Sequence, residues 1–133
     1  MPLAPGRSGI VTPMLTIGTV VVGCSDVRRA AAFWSAALDY VPRDGETTDD
    51  WTVLVPARGP GAAIALDLSE SPVQEYPRVH LDLYTAEPEA EIDRLLALGA
   101  ERVGWDLYPP DPDFVVLADT EGNRFCVIDT GHH

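Results

Sequence analysis

The chain has 133 residues and a mass of 14.4 kDa, and it is 46% hydrophobic and 23% charged. That is one globular domain, large enough to bury a core without metal or disulfide staples. Twenty-one acids against nine bases give a net charge of −12, which excludes the cationic footprint that nucleic acid needs.

Every base is an arginine, so a lysine Schiff base or lysine general base is excluded as well. Residues 1–13 carry three prolines and two glycines without periodicity and read as a flexible arm. No apolar stretch there suits a secretory signal, and no run of about eighteen apolar residues suits a membrane span. The expectation is a cytoplasmic protein with no membrane partner, keeping Cys24 and Cys126 as free thiols.

Leu15 to Gly23 is rich in β-branched residues and predicts a strand. Ser25-Asp26 supplies an N-cap. Ala30, Phe33, Trp34, Ala37 and Leu38 then recur at helical spacing, which predicts an amphipathic helix over 27–38. Short strands are expected at 40–43, 51–56 and 62–68, separated by Asp44-Gly45 and Gly59-Pro60-Gly61. Residues 69–77 are polar with two prolines and read as a linker.

The pattern then repeats. Arg78 to Tyr84 predicts a strand, and Glu87-Pro88 opens a helix with proline at its first position. Ile92, Leu95 and Leu96 form the buried stripe, and Gly99 closes the helix as a left-handed cap. Strands follow at 101–105, 114–118 and 124–129. His80 precedes Glu87 by seven residues, as Thr19 precedes Asp26. The chain is therefore a tandem βαβββ repeat over 14–130, with module one at about 14–68 and module two at about 78–130. The expected fold is α+β: a curved eight-stranded cup with helices on its outer face. Gly131-His132-His133 reads as the remnant of a purification tag, which leaves His80 as the domain's one histidine.

Three segments carry a resemblance: SDVRRAAAFWSAALDY (25–40), RVHLDLYTAEPEAEIDRLLALGAERV (78–103) and VVLADTEGNRFCVID (115–129). Together they resemble the vicinal oxygen chelate superfamily, in its glyoxalase-like and bleomycin-resistance-like branch. The resemblance implies a ligand-binding cup and a homodimer. It also implies that metal-dependent relatives draw ligands from the first and last strand of each module. Those positions fall here on Thr19, His80, Ala65 (or Asp67) and Cys126. Cys126 stands where the family's usual glutamate would be.

Strand alternation puts His80, Asp82 and Tyr84 on one face of their strand, and Val79, Leu81 and Leu83 on the other. Polar groups on a buried face are costly unless they meet water, a ligand or one another. His80 and Asp82 are thus candidate catalytic residues. Arg124 and Cys126 share the equivalent face of the last strand. Arg124 is placed to pair with Asp82 or with a ligand carboxylate, and Cys126 is a ligand contact or simply a small buried hydrophobe. Tyr84, Trp51, Trp105 and Tyr108 are expected on the rim, for an apolar ligand or as seals of sheet edges. A metal is not favoured; a divalent metal, if held, would take His80, Cys126 and Asp82. Cys24 reads as structural, and the acidic clusters at 44–50 and 87–93 as solvated surface.

Three functions follow as expectations. The first is binding of a small, partly apolar or aromatic molecule in the cup without a catalytic metal. The second is a metal-dependent lyase, isomerase or dioxygenase using His80. The third is a metal-free enzyme using His80 and Asp82 as acid and base.

Overall fold

The computed structural model describes residues 14–132; the arm expected over 1–13 lies outside them. Module one runs β1 (Thr19–Cys24), α1 (Val27–Leu38), β2 (Tyr40–Pro42), β3 (Trp51–Pro56) and β4 (Ala63–Leu68). Module two runs β5 (Asp82–Thr85), α2 (Pro88–Leu98), β6 (Glu101–Arg102), β7 (Phe114–Ala118) and β8 (Arg124–Asp129). The eight strands form two four-stranded sheets of the same order, β1-β4-β3-β2 and β5-β8-β7-β6.

Each sheet is mixed. The first strand of a module pairs parallel with the last, and the other pairs are antiparallel. The internal duplication is visible in the register. Val21 faces Ala65 across β1 and β4, and Asp82 faces Cys126 across β5 and β8. Each residue of the second pair lies 61 positions after its counterpart in the first, the same spacing that relates the two helix caps.

α1 forms where its apolar stripe predicts. Asp26 caps it by accepting from Arg29 N–H at 3.1 Å. Ala30, Phe33, Trp34 and Ala37 are buried along it. The alanines let the helix sit close to the sheet, while the two aromatics reach across to module two. Trp34 meets Phe125 edge-on with ring centroids 5.1 Å apart. Leu54, Ile64 and Leu66 of module one and Leu95, Leu117 and Val127 of module two join the same core. Neither module has to bury its helix-facing sheet surface alone. α2 ends at Gly99, whose φ of +118° supplies the left-handed cap.

Several strands are shorter than the sequence predicts, because a strand persists only where a neighbour pairs with it. β1 begins at Thr19 rather than Leu15, since β4 starts at Ala63, whose N–H donates to Gly18. Leu15 and Ile17 stand exposed as a result. β6 stops at Arg102, where its pairing with Leu117 ends. β5 starts at Asp82, so residues 78–81 are not strand and His80 stands just before it. Val79, expected to face the helices, is 80% exposed instead, whereas Leu81 and Leu83 do reach the core.

Candidate functional site

The helix-averted face of module two is built by alternation on three strands. β5 contributes Asp82 and Tyr84, β7 contributes Phe114 and Val116, and β8 contributes Arg124, Cys126 and Ile128. Trp105 and Leu107, in the segment before β7, close the side. They enclose a pocket of about 460 Å³, within the range that small-molecule sites occupy. A second cavity of about 440 Å³ lies between the modules, bounded by β1, the 69–77 linker and the β7–β8 turn. His80, Arg124 and Phe125 line both.

Three donor side chains converge on the pocket floor. His80 Nδ1 stands 3.0 Å from Asp82 Oδ1. Cys126 lies beside Asp82 through the β5–β8 register. Burial, then the Asp82 charge and a hydrogen bond with its carboxylate, push the Cys126 thiol up to about 11. Asp82 thus stands beside both the imidazole and the thiol. Ligand atoms of all three residues lie within 4.8 Å of one another, and no other such group of three occurs among the described residues.

These donors can hold a metal of one kind. A histidine, a carboxylate and a thiol are three protein ligands, the number of a zinc centre with an open position. A thiol suits zinc and disfavours manganese, which prefers oxygen. Module one adds nothing opposite. The positions equivalent to Asp82 and Cys126 are Val21 and Ala65, and Ala65 is packed with Val53 and Ala63 in a small apolar cluster. Thr19 and Asp67, the other two positions, are exposed, and Asp67 joins no converging group of three ligands among the described residues. A centre drawing ligands from both modules does not fit this chain.

Of the residues singled out from sequence, His80, Asp82, Tyr84, Trp105, Arg124 and Cys126 come together around the pocket. Trp51 and Tyr108 do not line it. Trp51 is on module one, paired across the sheet with Asp67. The Tyr108 hydroxyl accepts from Val116 N–H at 2.8 Å, and its ring packs on Phe114 at 5.2 Å, so it braces β7. Arg124 does not pair with Asp82; its Nη1 donates to Gly122 C=O at 3.2 Å. Ile128 lies on the same face as Arg124 and Cys126, as alternation along the last strand predicts, whereas Leu107, Phe114 and Val116 are wall residues that the sequence reading does not single out. Alternation along 114–118 is the signal that contains two of them, Phe114 and Val116.

A glyoxalase-like domain family model matches residues 19–128, nearly the whole described chain. The protein belongs to the glyoxalase-like domain family. No curated protein sequence matches it. Among solved structures it is similar to a fosfomycin resistance protein, FosX, from Listeria monocytogenes, at 16% identity and TM-score 0.67, with 87% of this chain and 91% of that one covered. A glyoxalase/bleomycin resistance protein/dioxygenase family enzyme from Burkholderia phytofirmans is similar at 15% identity and TM-score 0.64, covering 85% and 97%. A glyoxalase-related enzyme from Fulvimarina pelagi is similar at 17% identity and TM-score 0.62, covering 86% and 88%. At these identities the glyoxalase-like domain shares their fold, and activity has to be argued from its own site. Among the described residues no helix is long and apolar enough to cross a membrane.

Proposed function

We propose that this glyoxalase-like domain binds a small, partly apolar or aromatic molecule against the module-two sheet. One observation carries the reading: a cavity of about 460 Å³ whose walls are Trp105, Leu107, Phe114, Val116 and Ile128, and whose floor holds His80, Asp82, Arg124 and Cys126. Apolar walls supply affinity, and a few convergent polar groups fix orientation. Trp105 is the reporter. Titration of its fluorescence with a panel of aromatic compounds should give saturable quenching that a Trp105→Phe variant loses. Quenching unchanged in that variant counts against this site. The reading includes a homodimer, supported by exposed apolar side chains along the outer strands β1 and β5, among them Val21 and Tyr84. Light scattering on the purified protein should return twice the chain mass.

A second reading rests on the 4.8 Å convergence of His80, Asp82 and Cys126. These residues would hold a zinc ion, which when bound would act as a Lewis acid beside the ligand. Zinc should then protect Cys126 from alkylation, and His80→Ala should abolish the protection. Equal alkylation with and without zinc would remove this reading and leave the first intact. One fosfomycin resistance protein structure in the same fold holds manganese(II) with a dihydroxypropylphosphonic acid; the thiol here favours a softer ion.

A further inference from the structure

Arg124 differs from five of the chain's other arginines. Arg28, Arg29, Arg43, Arg58 and Arg94 each lie within hydrogen-bond reach of a carboxylate. Arg124 has no such partner among the described residues, although the chain carries twenty-one acids. Its Nη1 reaches only the Gly122 carbonyl, and its Nε is buried with no hydrogen-bond partner. A buried donor left without an acceptor is costly, and the part-buried Arg124 leaves its Nε in that state. Of the acids that share its two cavities, Asp113 makes no ion pair with it, and the other three have neighbours of their own. Asp82 lies 3.0 Å from His80, Asp119 accepts from Trp34, and Glu121 pairs with Arg29.

We infer that Arg124 anchors a carboxylate on the ligand, so that the pocket selects a small organic anion with an apolar body. This rests on the reading that the module-two pocket binds a small molecule, and it specifies the class. Arg124 lines the pocket at the start of β8 beside Cys126 and Asp82. A planar guanidinium fork matches a carboxylate with two parallel hydrogen bonds. The ligand's apolar part then lies along Phe114, Val116 and Ile128. Asp82 and Asp113 are the acids that line this pocket among the described residues, and exposed charges more than about 8 Å away are screened at physiological salt.

Isothermal calorimetry with matched pairs tests the inference. The probes are 4-phenylbutyrate and 2-naphthoate, each beside its neutral amide. Wild-type protein should bind each carboxylate roughly tenfold or more tightly than its amide, the size of a charge-assisted bond. Arg124→Gln should bring the ratio close to one by weakening the carboxylate alone, and Arg124→Lys should leave part of it. The wild-type ratio needs no variant, so poor folding of Arg124→Gln does not obscure the outcome. Equal binding of acid and amide, or a preference that survives in Arg124→Gln, overturns the inference: Arg124 then meets only water, and the pocket reading stands. Failure of both series to bind defeats the pocket reading and this inference with it.

Discussion

Trp34 on α1 donates its indole N–H to Asp119 Oδ2 at 3.0 Å, across 85 residues of sequence and between the two modules. Both residues are 2% exposed. Asp119 Oδ1 also accepts from the N–H groups of Glu121 and Asn123, which shapes the β7–β8 turn. That turn presents Glu121 to the start of α1, where the carboxylate accepts from Ser25 and Asp26 N–H and from Arg29. One turn of module two thus clasps the first helix of module one, and it leads directly into Arg124 and Cys126.

Replacing Trp34 with Phe should therefore cost more than lost volume. It keeps an aromatic ring in the core but leaves Asp119 Oδ2 buried without its donor. The expected loss is about 2–3 kcal/mol of unfolding free energy, from the orphaned acceptor and the smaller ring together. Urea denaturation would measure it. A loss under roughly 0.5 kcal/mol, the size of a neutral surface change, would mean the clasp contributes nothing.

Glu121 gives the clasp a pH dependence. Burial works against its charge, but hydrogen bonds from Ser25 and Arg29 and the Arg29 charge outweigh it and hold the carboxyl below its ordinary 4.5. The unfolded state then binds the proton first as pH falls, so the stabilisation is complete above about 4.5 and drains away towards the lower native value. Asp119 has the opposite sign. Its burial, only partly offset by hydrogen bonds, raises its pKa, so its ionisation costs stability as pH rises past the ordinary range. Glu121→Gln should be less stable than the parent by about 1 kcal/mol at pH 7, the typical loss of a helix cap. The gap should narrow as the pH drops below 4.5, as read from thermal melts across a pH series. A gap constant from pH 7 to pH 3 would refute the assignment.

The two thiols should be quiet at neutral pH. Burial above all, with nearby carboxylates, raises Cys24 and Cys126 each to about 11. Alkylation by iodoacetamide needs the thiolate, so both should react slowly at pH 8 and faster as pH approaches 11. Asp82→Asn removes a charge beside Cys126 but not beside Cys24. It should speed Cys126 selectively, with Cys24 as the internal control. Mass spectrometry of the alkylated peptides distinguishes them. Rapid labelling of Cys126 in the parent at pH 7 would contradict the arrangement of the pocket floor.

Gly99 closes α2 at a φ that side chains rarely adopt, and a Cβ there would meet Thr120 Cγ2 at 2.9 Å. Gly99→Ala should lose about 1–2 kcal/mol from the left-handed cap and the displaced threonine. Because Thr120 belongs to the clasp, the same variant should loosen the β7–β8 turn. Faster amide exchange at Gly122 and Asn123 would report this. Unchanged exchange would confine the damage to the helix end.

Local and periodic features were legible before any coordinates. The α1 stripe, the Gly99 cap and the repeat register each depend on residues close in sequence or at fixed spacing, so the string of side chains determines them. The same alternation placed Asp82 and Tyr84 on the pocket side. His80 was assigned to a strand because its neighbours alternate, yet β5 starts two residues later, where pairing with β8 begins. The clasp was invisible for a related reason. Asp119 and Glu121 read as turn residues, and their partners on α1 lie 85 or more positions away. Sequence by itself determined the duplicated fold and the faces of its strands, since those follow from backbone periodicity. Only the tertiary structure decided which charges meet and which, like Arg124, are left without a partner, because pairing depends on distance in space.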